Sequence, residues 1–413
     1  MKKFISFLTV FLITINISCQ QEDNIVPPNK TIELDEKSAQ LVEADNAFGL
    51  ELFQRTRENS DEENMMISPL SVSVALAMAY NGADEATKTE MENTLKLNGL
   101  TPEQINNSYK MLIDALQSVD DDVIFEIANA IYYANGFNVK QDFLNTNRDY
   151  YDAEVENLDF GSPSAVATIN GWVAEKTHDK ITKIIESLSP YDRMVLLNAI
   201  YFYGSWTKEF DEDGTKMRNF SKLDGTTKEV PMMSKEDKLE YTANDLFSAV
   251  KLPYGTGQYN MVVFLPSEGK NSNDVINELS ADKLKNWNED FTTEEHVVVT
   301  MPRFKFEFES RLNDILKQMG MEKAFILNEA DFSKITDEDL FISAVIHKSY
   351  IDVNETGTEA AAVTAIVFAT TSVGPGMEKI HFTVDKPFVF AITEKDTGAI
   401  LFIGEVRNPE YEE

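Results

Sequence analysis

The stretch SVSVALAMAYNGA (71–83) sets Val74, Met78 and neighbouring apolar side chains at the i, i+4 spacing of a helix. Ser68-Pro69 supplies its start, and Gly82 ends or bends it. INGWVAEKTHDKITKII (169–185) is a second amphipathic candidate, and LNDILKQMG (312–320) a third, stopped at Gly320. Strand patterns take over later. RMVLLNAIYFYGSW, YNMVVFLP and HVVVTMPRFKFEF are rich in β-branched and aromatic residues. The closing run HFTVDKPFVFAITEKDTGAILFIGEV reads as paired strands around a hairpin turn at Lys395-Asp396-Thr397-Gly398. Helices and strands follow no βα alternation, so the expected fold class is α+β rather than a doubly wound sheet.

From about Glu43 onward no linker, repeat or low-complexity block interrupts the pattern, and 44–413 is expected to form one domain. The 413 residues allow a sizeable core, and a 43% hydrophobic share belongs to a globular protein. A formal net charge of −33 argues against nucleic acid as a partner. There is no zinc-type Cys/His cluster, no phosphate-cradling glycine loop and no dinucleotide fingerprint, so neither a metal nor another cofactor is expected.

Residues 1–18 read as a signal peptide: Lys2-Lys3, an apolar run from Phe4 to Ile15 too short to span a bilayer, then Ser18. Cys19, the only cysteine, rules out an intramolecular disulfide. It resembles the acylated cysteine of bacterial lipoproteins, although Asn16 stands where Leu is usual; an ordinary signal peptide cut elsewhere is the other reading. The lipoprotein resemblance implies export and a lipid anchor in the outer membrane. Residues 19–43, which include QQEDNIVPPNKTIELDEK, then form an acidic tether, and Glu22-Asp23 is similar to surface-export signals.

GTEAAAVTAIVFATTSVGPG (357–376) fits neither a surface loop nor a quickly fenced strand: it is small, β-friendly and carries one charge, Glu359. Together with other blocks it resembles the serpin family from about residue 44 to 411. NMMISPLSVSVALAMAYNGADEAT, INGWVAEKTHDKI, LLNAIYFYGSW, MPRFKFEF and FTVDKPFVFAI carry the likeness in family order. The resemblance implies three β-sheets with surrounding helices and an exposed reactive loop at about 355–377. It also implies that Ser68, Ser71, Asn198 and His347 meet in the shutter, at the centre of the main sheet. From the residues alone, His347 reads as a surface group at a strand start.

The hinge of inhibitory serpins is matched by Glu355, Gly357, Thr358, Glu359, Ala360, Ala361, Ala362 and Val363. Alternation puts Thr358, Ala360, Ala362, Thr364, Ile366 and Phe368 on one face of an inserting strand, without charge or proline, and Glu359 on the other. About a dozen new ladder residues plus buried Ile366 and Phe368 would release on the order of 10–20 kcal/mol before entropy costs, which rivals the stability of an ordinary fold. The resemblance therefore implies a suicide-substrate inhibitor of serine, and by extension cysteine, endopeptidases, with no catalytic residue of its own and no cofactor. The other reading is a non-inhibitory serpin-like binding or scaffold protein, cleaved without trapping.

Counting along the hinge as the family does puts the scissile bond at Thr371–Ser372, with Phe368 and a position nearer Met377 as alternatives. A small β-branched residue there suits an elastase-like or subtilisin-like target, and a monomer is expected. Two further motifs are decoys. Ser205-Trp206-Thr207-Lys208 matches Ser-x-x-Lys without its Lys-Thr-Gly partner, and Asp396-Thr397-Gly398 lacks the second aspartate of an aspartic protease.

Overall fold

A computed structural model describes residues 30–189, 191–358 and 379–411. In chain order these form α1 (Glu36–Glu58), β1 (Asn64–Ile67), α2 (Pro69–Tyr80), α3 (Glu85–Thr94), α4 (Pro102–Ser118), β2 (Val123–Ala134), α5 (Gln141–Tyr151), β3 (Glu154–Leu158), α6 (Pro163–Lys176), β4 (Met194–Ser205), β5 (Lys216–Ser221), β6 (Thr227–Ala243), β7 (Phe247–Tyr254) and β8 (Tyr259–Pro266). There follow α7 (Ser272–Glu278), α8 (Ala281–Glu289), β9 (Thr292–Pro302), β10 (Phe304–Arg311), α9 (Asn313–Gln318), β11 (Ile346–Val353), β12 (Gly357–Thr358), β13 (Ile380–Thr383), β14 (Phe388–Glu394) and β15 (Ile400–Val406). The mixed order is the expected α+β class.

The described strands make two sheets where three were expected. One has six strands in the order β10-β11-β12-β4-β2-β3; the other has nine, in the order β1-β15-β14-β8-β7-β6-β9-β13 with β5 on β6. The long strand β6 is the reason. It pairs with β7 through Glu240–Ala243 and with β9 from Met232 to Tyr241, shifting register between Asp237 and Leu239, so one continuous strand joins what would be two sheets.

The early helix forms where its cap predicted: Ser68 Oγ accepts the Ser71 N–H at 3.2 Å and Pro69 opens the first turn. All of α2 is buried except Ala75, because it runs between β4 of the six-stranded sheet and β15 of the other. On the opposite face of the six-stranded sheet, α6 covers a second apolar cluster with Ile169, Trp172, Ala130, Tyr132 and Leu197.

Three expectations are corrected. The second predicted helix stops at Lys176 rather than running to Ile185. Thr177 Oγ1 turns back to the Val173 carbonyl at 2.8 Å and accepts the Ile181 N–H at 3.1 Å, while His178 and Asp179 take positive φ (49° and 62°). HVVVTMPRFKFEF is two strands in different sheets, β9 and β10, parted at Arg303. The folded body also begins before residue 44. α1 starts at Glu36 with Asp35 as its cap, Leu41 and Val42 are buried, and the Lys30 ammonium reaches the Ser118 carbonyl at 2.9 Å. The tether expected over 19–43 thus loses its C-terminal third to the core, because IELDEKSAQLVEA already carries a helical apolar pattern.

Candidate functional site: the root of the loop and the strands beneath it

The six-stranded sheet is parted between β4 and β11, and β12 enters the parting. Thr358 pairs with Val353 of β11 on one side and Gly204 of β4 on the other, while Gly357 pairs with Ser205. Only glycine fits there, since a Cβ on Gly357 would lie 2.1 Å from the Gly204 carbonyl oxygen. β11 reaches β12 by a tight turn in which the Asn354 N–H donates to the Gly357 carbonyl at 3.0 Å, and Asn354 Oδ1 accepts the Thr356 N–H at 3.0 Å.

Neighbouring elements grip this turn. Glu355 is 3% exposed, and its carboxylate lies 2.7 Å from Arg303 Nε and also accepts from the Thr215 hydroxyl. The Trp206 indole N–H donates to the Asn354 carbonyl at 2.9 Å, the Trp206 N–H to Thr356 and the Phe210 N–H to Glu355. Trp206 stacks on Tyr254 with ring centroids 4.4 Å apart, and the Tyr254 hydroxyl meets Thr358 Oγ1. Lys235 closes the far side. Its ammonium lies 4.6 Å from the Phe210 ring centre and donates to the Lys208 carbonyl at 2.6 Å. Burial pushes its pKa down to about 8.

Further down the parting sits His347 on β11, 4% exposed and not the surface group that the residues alone indicated. Its Nε2 accepts the Ser68 N–H at 3.1 Å, and burial lowers its pKa to about 4, so the ring is neutral. Ser349 Oγ donates to the Met66 carbonyl at 2.6 Å. Ser68, Ser71 and His347 therefore meet, whereas Asn198 of β4 donates across to Asn129 Oδ1 of β2 at 2.8 Å, and Asn129 in turn to the Tyr151 carbonyl. Ser71, Asn198 and His347 share the wall of one cavity of about 220 Å³.

Cys19, the hinge residues Glu359 to Val363 and the expected scissile pair Thr371–Ser372 lie outside the described residues. Sequence reasoning missed Arg303, Thr215, Trp206, Tyr254, Lys235 and Asn129. Arg303 stood in the block MPRFKFEF and Trp206 in LLNAIYFYGSW, but the spacing of neither shows a partner more than fifty residues away. The Ser-x-x-Lys decoy dissolves: Ser205 belongs to the β4–β12 pairing and the Lys208 ammonium goes to the Glu236 carbonyl at 2.7 Å.

Two residues, Gly357 and Thr358, are seated between the central strands of a mixed sheet, and the described chain resumes at β13 on the second sheet. Comparison with known proteins names the family. A family model described as "Serpin (serine protease inhibitor)" matches residues 43–409. A serpin-like protein of Methanosarcina acetivorans is 36% identical over 379 residues, spanning 90% of this chain and 87% of its own. Among solved structures, the thermophilic serpin tengpin in its native state superposes with a TM-score of 0.82 at 32% identity, covering 92% of this chain and 96% of tengpin. Thyroxine-binding globulin in complex with thyroxine gives 0.79 at 30% identity, covering 90% and 100%. The chain belongs to the serpin family.

Proposed function

We propose that this serpin is a suicide-substrate inhibitor of serine endopeptidases, and by the same chemistry of cysteine endopeptidases. One observation carries the reading: β12 already occupies the top of the β4–β11 parting, so further residues of the segment can extend a strand that has begun. Residues 359–369 supply a continuation whose inward positions are small or apolar. A protease that cuts the segment forms an acyl-enzyme through its own nucleophile. The freed strand then grows down the parting and carries the protease with it before water completes hydrolysis. The favoured bond is Thr371–Ser372 and the favoured target is an elastase-like or subtilisin-like protease. The protein contributes no catalytic group, and acts as a monomer.

The test mixes the chain with pancreatic elastase, subtilisin and chymotrypsin and examines the products by denaturing gel and mass spectrometry. A covalent band, with a released fragment beginning at Ser372, is the expected result. Cleavage that leaves every protease fully active would refute the reading for those targets. The second reading, a non-inhibitory binding protein, draws on the likeness to thyroxine-binding globulin, whose structure holds thyroxine. It predicts cleavage without a covalent band. We also propose that Cys19 is acylated and anchors the chain at the outer surface of a bacterial cell; a Cys19→Ala variant should lose label from a tritiated fatty acid and leave the membrane fraction.

A further inference from the structure

The cavity beneath β12 has a shape that strand parity makes legible. Leu197 and Ala199 of β4 belong to the cluster under α6, while Leu196, Asn198 and Ile200 point the other way, towards α2. All five line the cavity, so it opens along the edge of β4 and passes from one face of the sheet to the other. Ala75 and Ala79 of α2 form its floor, Ile181 and Ile185 of the turn after α6 its roof, and His347 of β11 its far wall. Packing agrees. Ala75 is the one residue of α2 that is not buried, although the helix lies inside the molecule.

The polar inventory defines what would fit. Asn198 Oδ1 is a buried acceptor with no donor among the described residues. Such an atom is costly to leave unpaired. At the margin Lys348 is paired with Glu307 at 3.0 Å, and the Asp192 carboxylate accepts the Ser189 N–H at 2.8 Å. His347 is neutral and its Nε2 is committed to Ser68. The remaining wall is mostly aliphatic, so a charged guest would lose its water there, and an anion would find the lining ammonium, Lys348, already paired.

We propose that this interstrand cavity is a binding site for a compact, uncharged apolar molecule with a hydrogen-bond donor for Asn198 Oδ1. The guest would sit where β12 must grow, so it would delay insertion. That consequence rests on the inhibitor reading; the binding itself does not.

Octanamide serves as the probe, titrated calorimetrically into the full chain, with octanoate as its charged counterpart. The expected result is saturable binding of one octanamide per chain, with octanoate at least tenfold weaker. Ala75→Leu fills the floor and should weaken octanamide at least tenfold while melting stays cooperative. If that variant does not fold, Asn198→Ala, which removes the acceptor, should weaken it about threefold to tenfold, in line with one hydrogen bond. No saturable heat, equal affinity for octanoate, or unchanged affinity in the folded variants would overturn the proposal. None of these readings needs a protease. Loss of the covalent band in the untreated chain would count against the inhibitor reading alone, whereas octanamide binding decides the site.

Discussion

The two ends of the β4–β11 parting are built differently. At the top, the turn Asn354–Thr356 is gripped by an ion pair whose carboxylate is buried, three hydrogen bonds from the 206–210 segment and a stacked aromatic pair. Lower down, the contacts are a neutral histidine, an asparagine with one oxygen unpaired and a cavity of about 220 Å³. Tight polar networks fix one geometry, because breaking any member strands a buried charge or donor. Loosely packed apolar walls lose little when they separate, since they forfeit contacts they hardly made. The contrast teaches where resistance to strand growth lies: the entry is locked in register, and the room for a growing strand is below it.

The strongest way to break that contrast is to burden the entry itself. Thr358→Arg would place a guanidinium where the side chain is 4% exposed and meets Tyr254. A buried unpaired charge costs several kcal/mol, so the yield of covalent complex should fall roughly 100-fold or more while cleavage continues. An undiminished band would show that trapping does not need Thr358 to stay buried between β4 and β11.

Next in size is Glu355→Ala, which strands Arg303 and frees the Thr215 hydroxyl. The expected loss is about 1–3 kcal/mol, read as a lower melting temperature and as oligomers on native gels after mild heating, through strand donation between molecules. Equal melting of variant and parent would remove the lock from the account.

The third prediction sharpens the lower half through pH. His347 has its folded pKa lowered to about 4, below the unfolded value near 6.5. The folded state then binds fewer protons, and this contribution is present above about pH 6.5 and lost as pH falls towards 4. Asp45, which accepts the Tyr109 hydroxyl at 2.7 Å between α1 and α4, is pushed by burial the other way, up to about 7. Its contribution is present below its unfolded value near 4 and lost as pH rises towards 7. The two slopes oppose each other in the same window. His347→Gln should therefore lose stability as pH rises from 4 to 6.5, and Asp45→Asn should gain it. Parallel melting curves for the two variants would show that neither group titrates as placed.

The smallest effect concerns Lys235. Lys235→Met removes a buried ammonium whose charged form is disfavoured, yet keeps an unbranched chain against Phe210. Melting at neutral pH should change by less than about 1 kcal/mol equivalent, and covalent trapping should persist. A loss comparable with that of Glu355→Ala would make the lysine part of the lock.

Much of the fold is legible in the sequence, for physical reasons that also mark the limits. α2 announced itself by a cap, a first-turn proline and a terminal glycine, all local signals. The stretch 357–376 stands out by what it lacks, since a run with one charge is conspicuous in so acidic a chain, but from Glu359 onward it lies outside the described residues. The partners of Glu355 were silent. Arg303 and Thr215 reach Glu355 from 52 and 140 residues away, and no periodicity encodes an ion pair of that span. The end of α6 was misplaced because ITKII continues the apolar period after the backbone has turned at His178. The fusion of two expected sheets was hidden in the length of β6, whose polar face SKEDK reads equally well as a loop between separate strands.

The break at Arg303 ties together things that look independent. β13, the return point of the segment, lies along β9 from Val297 to Thr300, and β9 ends at Pro302, next to Arg303, whose guanidinium holds Glu355 at the departure point. Departure and return are thus moored to one short run of backbone, with β9 in one sheet and β10 in the other.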